Sequence, residues 1–460
     1  MILLPPWQHR QNGLEVAAVN SIITEPCSAS VGCCKNATAP FLQRVKNLQC
    51  CKKNDAYKKN QRYQFYKYAA VNFTFYITLT FAGYITVFLQ SIGFDPRQVG
   101  IITAISSVIG IFASPFWGML SDKIQSVKKV IIIALTIGAV MFALIPWMGD
   151  INILGLSFLF IIIPVAISFR TPLMSLVDNW VIQNSSIDKL NYGALRAYGA
   201  LSFALASLAL GYMIPIIGVE FVFVASVLFT VPPLLLIILI KDSSDKKNGV
   251  KRSLTFKEMN ISQLFKNYYL GTYILFSIFL RIPFQASMIF MPFLIYDIGG
   301  DISQLGLIMG IRALLEIPMM VLLKPLRQRF PLYILIMAAT IFFMVECILY
   351  SIATSFGMLL AISMLQGIGN GLLIPAGATY VFSLAPEQLK ATAQTALAST
   401  NAIAGIAGGL LGGTLILLFD IRQFYFMVAV MLAVALALFV LSFFIGEKVL
   451  GLKRPGLSLN

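Results

Sequence analysis

Apolar runs of about 20 residues, each closed by a short polar break, recur from residue 66 almost to the end of the chain. That is the length a helix needs to cross the hydrocarbon core of a bilayer. Lipid offers no partner for a free amide, so runs this long and apolar must bond internally as helices. Strands of a membrane barrel would instead alternate strictly over about 10 residues, and that pattern is not found. The runs predict twelve spans, at 66–89, 98–117, 130–148, 153–178, 193–213 and 219–240, then 267–294, 302–323, 332–351, 356–383, 391–418 and 424–445. The predicted fold class is an all-α membrane protein, with twelve transmembrane helices in two pseudo-symmetric six-helix bundles.

Composition agrees with this reading. Of the 460 residues 58% are hydrophobic and 12% charged, where an ordinary soluble domain carries about 25% charged. A net charge of +15 suggests nucleic acid in a soluble chain, but here the basic residues cluster in alternate loops. One side carries the N-terminal segment, Lys123, Lys128 and Lys129, Lys189, the central loop, Lys324, Arg327 and Arg329, Lys390, and Lys448, Lys453 and Arg454. The other side carries Arg97 and Arg422. The asymmetry predicts both termini and the central loop in the cytoplasm, in the cell membrane, with no nucleic-acid partner.

The predicted organisation is therefore a tail at 1–62, a first bundle at 63–240, a cytoplasmic linker at 241–266, a second bundle at 267–446 and a short tail at 447–460. Residues 1–62 are polar and read as a disordered cytoplasmic tail. No methionine lies between Met1 and Met119, which goes with an expectation that the tail arises from a start placed too far upstream. Cys27, Cys33, Cys34, Cys50 and Cys51 fall in this segment. Their adjacent pairs lack the two-residue gap of zinc ribbons, so reduced thiols are expected, with no metal and no cofactor.

After the second span the chain reads Gly118-Met119-Leu120-Ser121-Asp122-Lys123, with Lys128 and Lys129 following. This resembles the signature loop between the second and third helices of the major facilitator superfamily. Gly118 is expected to let helices approach, Asp122 to sit at a helix N-terminus, and Lys123 to face the anionic inner leaflet. The equivalent stretch of the second half, Lys324 to Pro331, keeps the basic charge without the aspartate. Phe81, Gly83, Tyr84, Phe88 to Gln90, Gly93, Gln98 and Gly100 are similar to the opening of the phenylpropionate-permease and nucleoside-symporter branch. Thr171 to Leu173, Leu176, Asp178, Tyr192, Gly193, Arg196 and Gly199 continue the resemblance. So do Gln366, Gly367, Gly371, Pro375, Pro386 and Leu389 to Gln394, with departures at Ala200 and Ala393. The resemblance covers about 66–445 and implies a proton-coupled symporter working by alternating access on aromatic acids, sugars or nucleosides.

Charges inside apolar spans mark a pathway or its coupling site. Arg170, Arg281, Arg312, Glu316 and Glu346 fall there, and Asp178 and Arg196 lie nearer the cytoplasmic ends of spans four and five. Arg312 and Glu316 are four apart and share a helix face, which reads first as a proton carrier, Glu316, with Arg312 as its partner, and alternatively as a fixed ion pair holding the helix in register or as a substrate contact. The single histidine, His9, lies in the tail. Glu346 lies toward the outer end of span nine and ranks lower. Asp178 and Arg196 are expected as an inner gate or structural pair, with Gly118, Asp122 and Lys123 as gating elements. Arg170 (placed in the inner half of span four), Arg281, Asn72, Tyr76, Gln285, Gln366 and Asn370 are the candidates for the substrate cavity. Three intramembrane arginines against two glutamates favour an anionic substrate. Gly405, Gly408, Gly409, Gly412 and Gly413 read as close helix packing.

No HExxH, phosphate loop or nucleotide-binding segment is present, so the chain is not expected to be an enzyme or an ATP-driven pump. The expected activity is secondary transport of a small organic anion, sugar or nucleoside with protons, by a monomer in the lipid bilayer. A proton-antiport exporter of drugs or metabolites and a non-transporting membrane sensor are the alternatives.

Overall fold

The computed structural model describes residues 41–149, 151–153, 156–187, 190, 192–240, 266–301, 303–386 and 389–455. The chain divides into two compact units, Met1–Tyr66 and Lys67–Asn460. Helix α1 runs Phe41–Thr80 and continues through a tight turn, Phe81–Tyr84, into α2, Ile85–Ser91. The irregular tail expected over 1–62 is thus corrected from Phe41 onward. No glycine or proline interrupts 41–80, so nothing breaks the helix where polar residues take over from apolar ones. Cys27, Cys33 and Cys34 lie outside the described residues, as do the side chains of Cys50 and Cys51.

The first half continues with α3 (Pro96–Ile124), α4 (Val127–Ala143), α5 (Leu159–Ile187), α6 (Tyr192–Ile217) and α7 (Glu220–Leu239). The second half holds α8 (Tyr268–Ile289), α9 (Met291–Asp297), α10 (Ser303–Arg329), α11 (Leu332–Ser351), α12 (Phe356–Leu384), α13 (Lys390–Leu418) and α14 (Ile421–Phe444). Eleven helices among the described residues are long and apolar enough to cross a membrane. Helix α4, with 17 residues, stands at the lower edge of spanning length. The expected fourth span begins later than the hydropathy suggests. Asn152–Ile153 and Leu156–Ser157 form a two-residue antiparallel hairpin, and α5 then runs nine residues beyond 178, to Ile187.

Helix ends are satisfied locally. The side chains of Ser126, Asn267, Ser355 and Asp420 accept hydrogen bonds from the N–H groups of Lys129, Leu270, Met358 and Gln423, which caps α4, α8, α12 and α14. At the C-terminus of α7 the Lys128 ammonium donates to the Ile238 and Ile240 carbonyls at 2.9 and 2.7 Å. On the face opposite the basic loops Arg422 pairs with Asp297 at 2.9 Å, which cancels one of the two cations there and sharpens the charge asymmetry.

The halves meet along two helix pairs, α3 with α13 and α6 with α10. Glycines set both seams. A Cβ on Gly409 would stand 2.7 Å from the Gly100 carbonyl, and one on Gly413 would stand 2.5 Å from that of Pro96. Across the second seam, a Cβ on Gly211 would meet the Ser303 carbonyl at 2.5 Å, and Gly306 packs against Ser207 and Gly211. With no hydrophobic drive between helices in lipid, such close backbone approach supplies much of the attraction. The expected packing role of the α13 glycines is therefore observed. Gly405, Gly409 and Gly413 face α3, while Gly408 and Gly412 face Ile282, Ala286 and Phe290 of the α8 region. Both seams lie toward the end away from the basic loops.

The opposite end differs. Gly118 faces open space, and Phe112, Phe116 and Met119 on the same stretch of α3 are exposed. The expectation that Gly118 permits close helix contact is thus corrected. Nor does Asp122 start a helix. Helix α3 continues through the motif to Ile124 and ends at Gln125, whose φ of 55° is left-handed. Ser126, not Asp122, caps α4. Lys123 is exposed at this end.

Candidate functional site

Three side chains of the first half converge on one point. The Tyr76 hydroxyl on α1 donates to both carboxylate oxygens of Asp178 on α5, at 3.1 and 3.2 Å. The Arg196 guanidinium on α6 lies over the Tyr76 ring, 4.1 Å from its centroid, and its Nε is 3.9 Å from Asp178. Gly199, one turn beyond Arg196, makes room for that ring: a Cβ there would come within 2.6 Å of it. Stacking and ion pairing together hold a guanidinium in one orientation. The pair stays wet, with 30% of the Arg196 side chain and 19% of Asp178 exposed.

Glu316 stands on α10, the helix of the other half that packs against α6, within the electrostatic reach of Arg196 but without contact to it. It has no ion pair or hydrogen bond among the described residues. The expected pairing of Glu316 with Arg312 is corrected. The Arg312 Nη2 lies 3.3 Å from Glu346 and donates to the Tyr350 hydroxyl at 2.7 Å, both on α11. Sharing a helix face stacks Glu316 one turn beyond Arg312, but the α11 carboxylate is the one in contact. Glu346, which its place near a span end ranks low, is buried with 2% exposure. The length of the arginine side chain explains the difference. Arg312 stands about 14 Å down α10 and Glu346 about 8 Å from the end of α11, a gap that one extended arginine closes. The signal available in sequence is Glu346 and Tyr350 four apart on one face.

Around this second group Met288 of α8 accepts from the Arg312 Nη1 at 3.2 Å and from the Gln366 amide at 2.8 Å. Gly367 and Gly371 of α12 seat the backbone of Arg312 and Glu316. The remaining expected cavity residues disperse. Arg170 hydrogen-bonds the Thr78 carbonyl and lies 4.2 Å from the Phe142 ring centroid, entirely within the first half. It is the twelfth residue of α5, so it sits near mid-span and not in the inner half. Arg281 binds the Asn401 amide oxygen on α13. Asn72 is fully buried with neither amide atom partnered. Gln285 and Asn370 are half-buried and join neither group. No cluster of three or more His, Cys, Asp or Glu suited to a metal occurs among the described residues.

A two-half helical bundle that carries charges at the junction of its halves is the frame of a membrane carrier. Residues 65–428 match the MFS_1-like family model, and the chain belongs to that family. It is 27% identical over 319 residues to the uncharacterized transporter YwbF of Bacillus subtilis (strain 168), covering 66% of this chain and 73% of the relative. It is 25% identical over 299 residues to a maltose permease of Geobacillus stearothermophilus, covering 64% and 72%. The fold is similar to that of the nucleoside transporter NupG, with a TM-score of 0.70 at 16% identity over 83% of this chain and 99% of that one. The chain is a multi-pass membrane transporter of the major facilitator type for a small-molecule substrate, and not an enzyme.

Proposed function

We propose that this transporter moves a small, neutral, polyhydroxylated solute, a sugar or a nucleoside, across the cell membrane in symport with protons. It works as a monomer with both termini cytoplasmic. The observation that carries the reading is the Tyr76, Asp178 and Arg196 group facing Glu316 across the junction of the halves. A fixed guanidinium and two carboxylates offer donors and acceptors to several hydroxyls at once, beside an aromatic ring suited to a sugar or base face.

The expectation of an anion rests on an excess of arginines, of which Arg281 is turned to the neutral Asn401 amide oxygen and the other two are engaged within their own halves. Arg312 is neutralised by Glu346, while Arg170 is turned to a carbonyl and a ring within its own half. The maltose permease and the nucleoside transporter named above are relatives whose names agree with a hydroxyl-rich cargo. The glycine seams act as the gate on the outer face, and the basic end, where Gly118 meets open space, opens to the cytoplasm. Alternating access then consists of parting those seams while the basic end closes.

Purified protein in liposomes, offered maltose, uridine and an aromatic acid in turn, tests this while external pH is recorded. Uptake of maltose or uridine with alkalinisation outside, at much weakened apparent affinity in Arg196→Ala, is the expected result. Uptake confined to the aromatic acid would overturn the substrate class, and uptake without any pH change would overturn proton symport.

A further inference from the structure

The two charged groups are connected. Asp178 and Arg196 on the first half, Glu316 and Arg312 one turn apart on α10, and Glu346 on α11 form a chain of alternating sign from the cavity into the second half. It holds three carboxylates and two guanidinium groups. Two ion pairs use all the positive charge, and one carboxylate is always left over. In this structure that carboxylate is Glu316.

Arg312, the more deeply buried of the two guanidinium groups, is held incompletely. Its Nη2 has the Glu346 carboxylate and the Tyr350 hydroxyl, but its Nη1 has only a thioether and its buried Nε has no partner at all. A guanidinium in such a setting normally places all its N–H groups on oxygen. Glu316 lies one turn further along the same helix, within reach of a side-chain rotation. Tyr350 accepts from the Arg312 Nη2 and stands four residues beyond Glu346 on the same helix face, where its hydroxyl is placed to serve a neutral Glu346 after the arginine has left.

We propose that Arg312 is a pivot, and that a proton taken up by Glu346 releases it to pair with Glu316. This rests on the proton-symport reading above and assigns its coupling site. With Glu346 ionised, Arg312 is bound to it, and Arg196 pairs with Asp178 while the unpaired Glu316 lies within its electrostatic reach. When a proton from water adds to the Glu346 carboxylate, Arg312 pairs with Glu316, and Arg196 belongs to Asp178 alone. The leftover charge vanishes, and its pull on the arginine that meets the solute goes with it. The titratable and charged groups that face Glu346 are Arg312 from α10, Tyr350 and Cys347 from its own helix, and Tyr425 from α14. Arg196 from α6 faces Glu316.

Infrared difference spectroscopy of the full chain in lipid, stepped between acid and alkaline pH, reads the proton directly. The high-frequency protonated-carboxyl band of a buried group shielded from water, distinct from the band of the exposed carboxylates, should appear in wild type and in Glu316→Gln, shift in Glu346→Asp and vanish in Glu346→Gln. A band lost in Glu316→Gln but kept in Glu346→Gln would overturn the assignment and leave proton symport standing. No such buried-carboxyl band in wild type would remove both. The pivot has its own readout in thermal unfolding. Glu316→Gln should lower Tm in the Glu346→Gln background, where Arg312 has moved to position 316, and leave it nearly unchanged otherwise. Equal shifts in the two backgrounds would overturn the pivot.

Discussion

An arginine, a carboxylate and a tyrosine meet twice in this molecule. In the first half Arg196 and Asp178 keep 30% and 19% of their side chains exposed beside Tyr76. In the second half Arg312 and Glu346 keep 7% and 2% beside Tyr350. Water decides what each group can do. An exposed pair can trade its bonds for those of a solute at small cost, because solvent screens whatever is left behind. A sealed pair cannot lose one member without stranding a charge in a medium that cannot solvate it. The same three side-chain types therefore read as a binding surface in one place and as a switch or a strut in the other.

The largest effect that would sharpen this contrast is on stability. Arg312→Met strands Glu346 and should cost about 3–5 kcal/mol in a detergent unfolding assay. The double variant Arg312→Met, Glu346→Leu should recover most of it. If Asp178→Asn were equally destabilising, the distinction between wet and sealed groups would collapse.

Next in size is an effect on transport. Arg196→Ala removes a charged donor to the solute, worth about 1.5–3 kcal/mol. The apparent affinity for the transported solute should fall by about 10- to 150-fold, while unfolding moves little. A normal affinity would take Arg196 out of the cavity.

The seams between the halves come third. Gly306→Ala forces a methyl into the backbone of Gly211 and Ser207, an overpacking of about 1–3 kcal/mol. It should weaken the closed state at that end, so that cysteines placed along α6 and α10 label faster from the face opposite the basic loops. Unchanged labelling would mean that the seam is not a gate. Gly118→Ala is the smallest, within about 0.5 kcal/mol, because the added methyl meets open space.

Much of this architecture is legible in the order of residues alone. Hydropathy finds a helix for each predicted span, eleven of them, among the described residues, long and apolar enough to cross a membrane, and misplaces the start of the fourth, where the apolar run begins in the 152–157 hairpin. The turn at Gln125 is invisible there, because a left-handed non-glycine residue has no sequence mark. Spacing and depth suggest Asp178 and Arg196 as a pair and Tyr76 as a cavity residue, but nothing along the chain says that all three touch. Glu316 stands out as an intramembrane carboxylate, yet its spacing from Arg312 points to the wrong partner. Spacing along one helix reports a shared face and nothing about the neighbouring helix. Glu346 is undervalued for the same reason. Depth can be counted from a span end, but burial depends on what packs alongside.

Lipid makes the one-dimensional part strong. A backbone that cannot bond to water has to be helical, so the class follows from composition along the chain, and the basic loops add an expected order of crossings. Contacts between helices carry no such compulsion. They are chosen by glycines such as Gly100 and Gly409, Gly306 and Gly211, which let particular backbones touch and so settle which charges end up facing one another. The residues of the site are present in the sequence. Only the packing of α10 against α6, α11 and α12 decides that Arg312 belongs to Glu346 and that Glu316 is left to face Arg196.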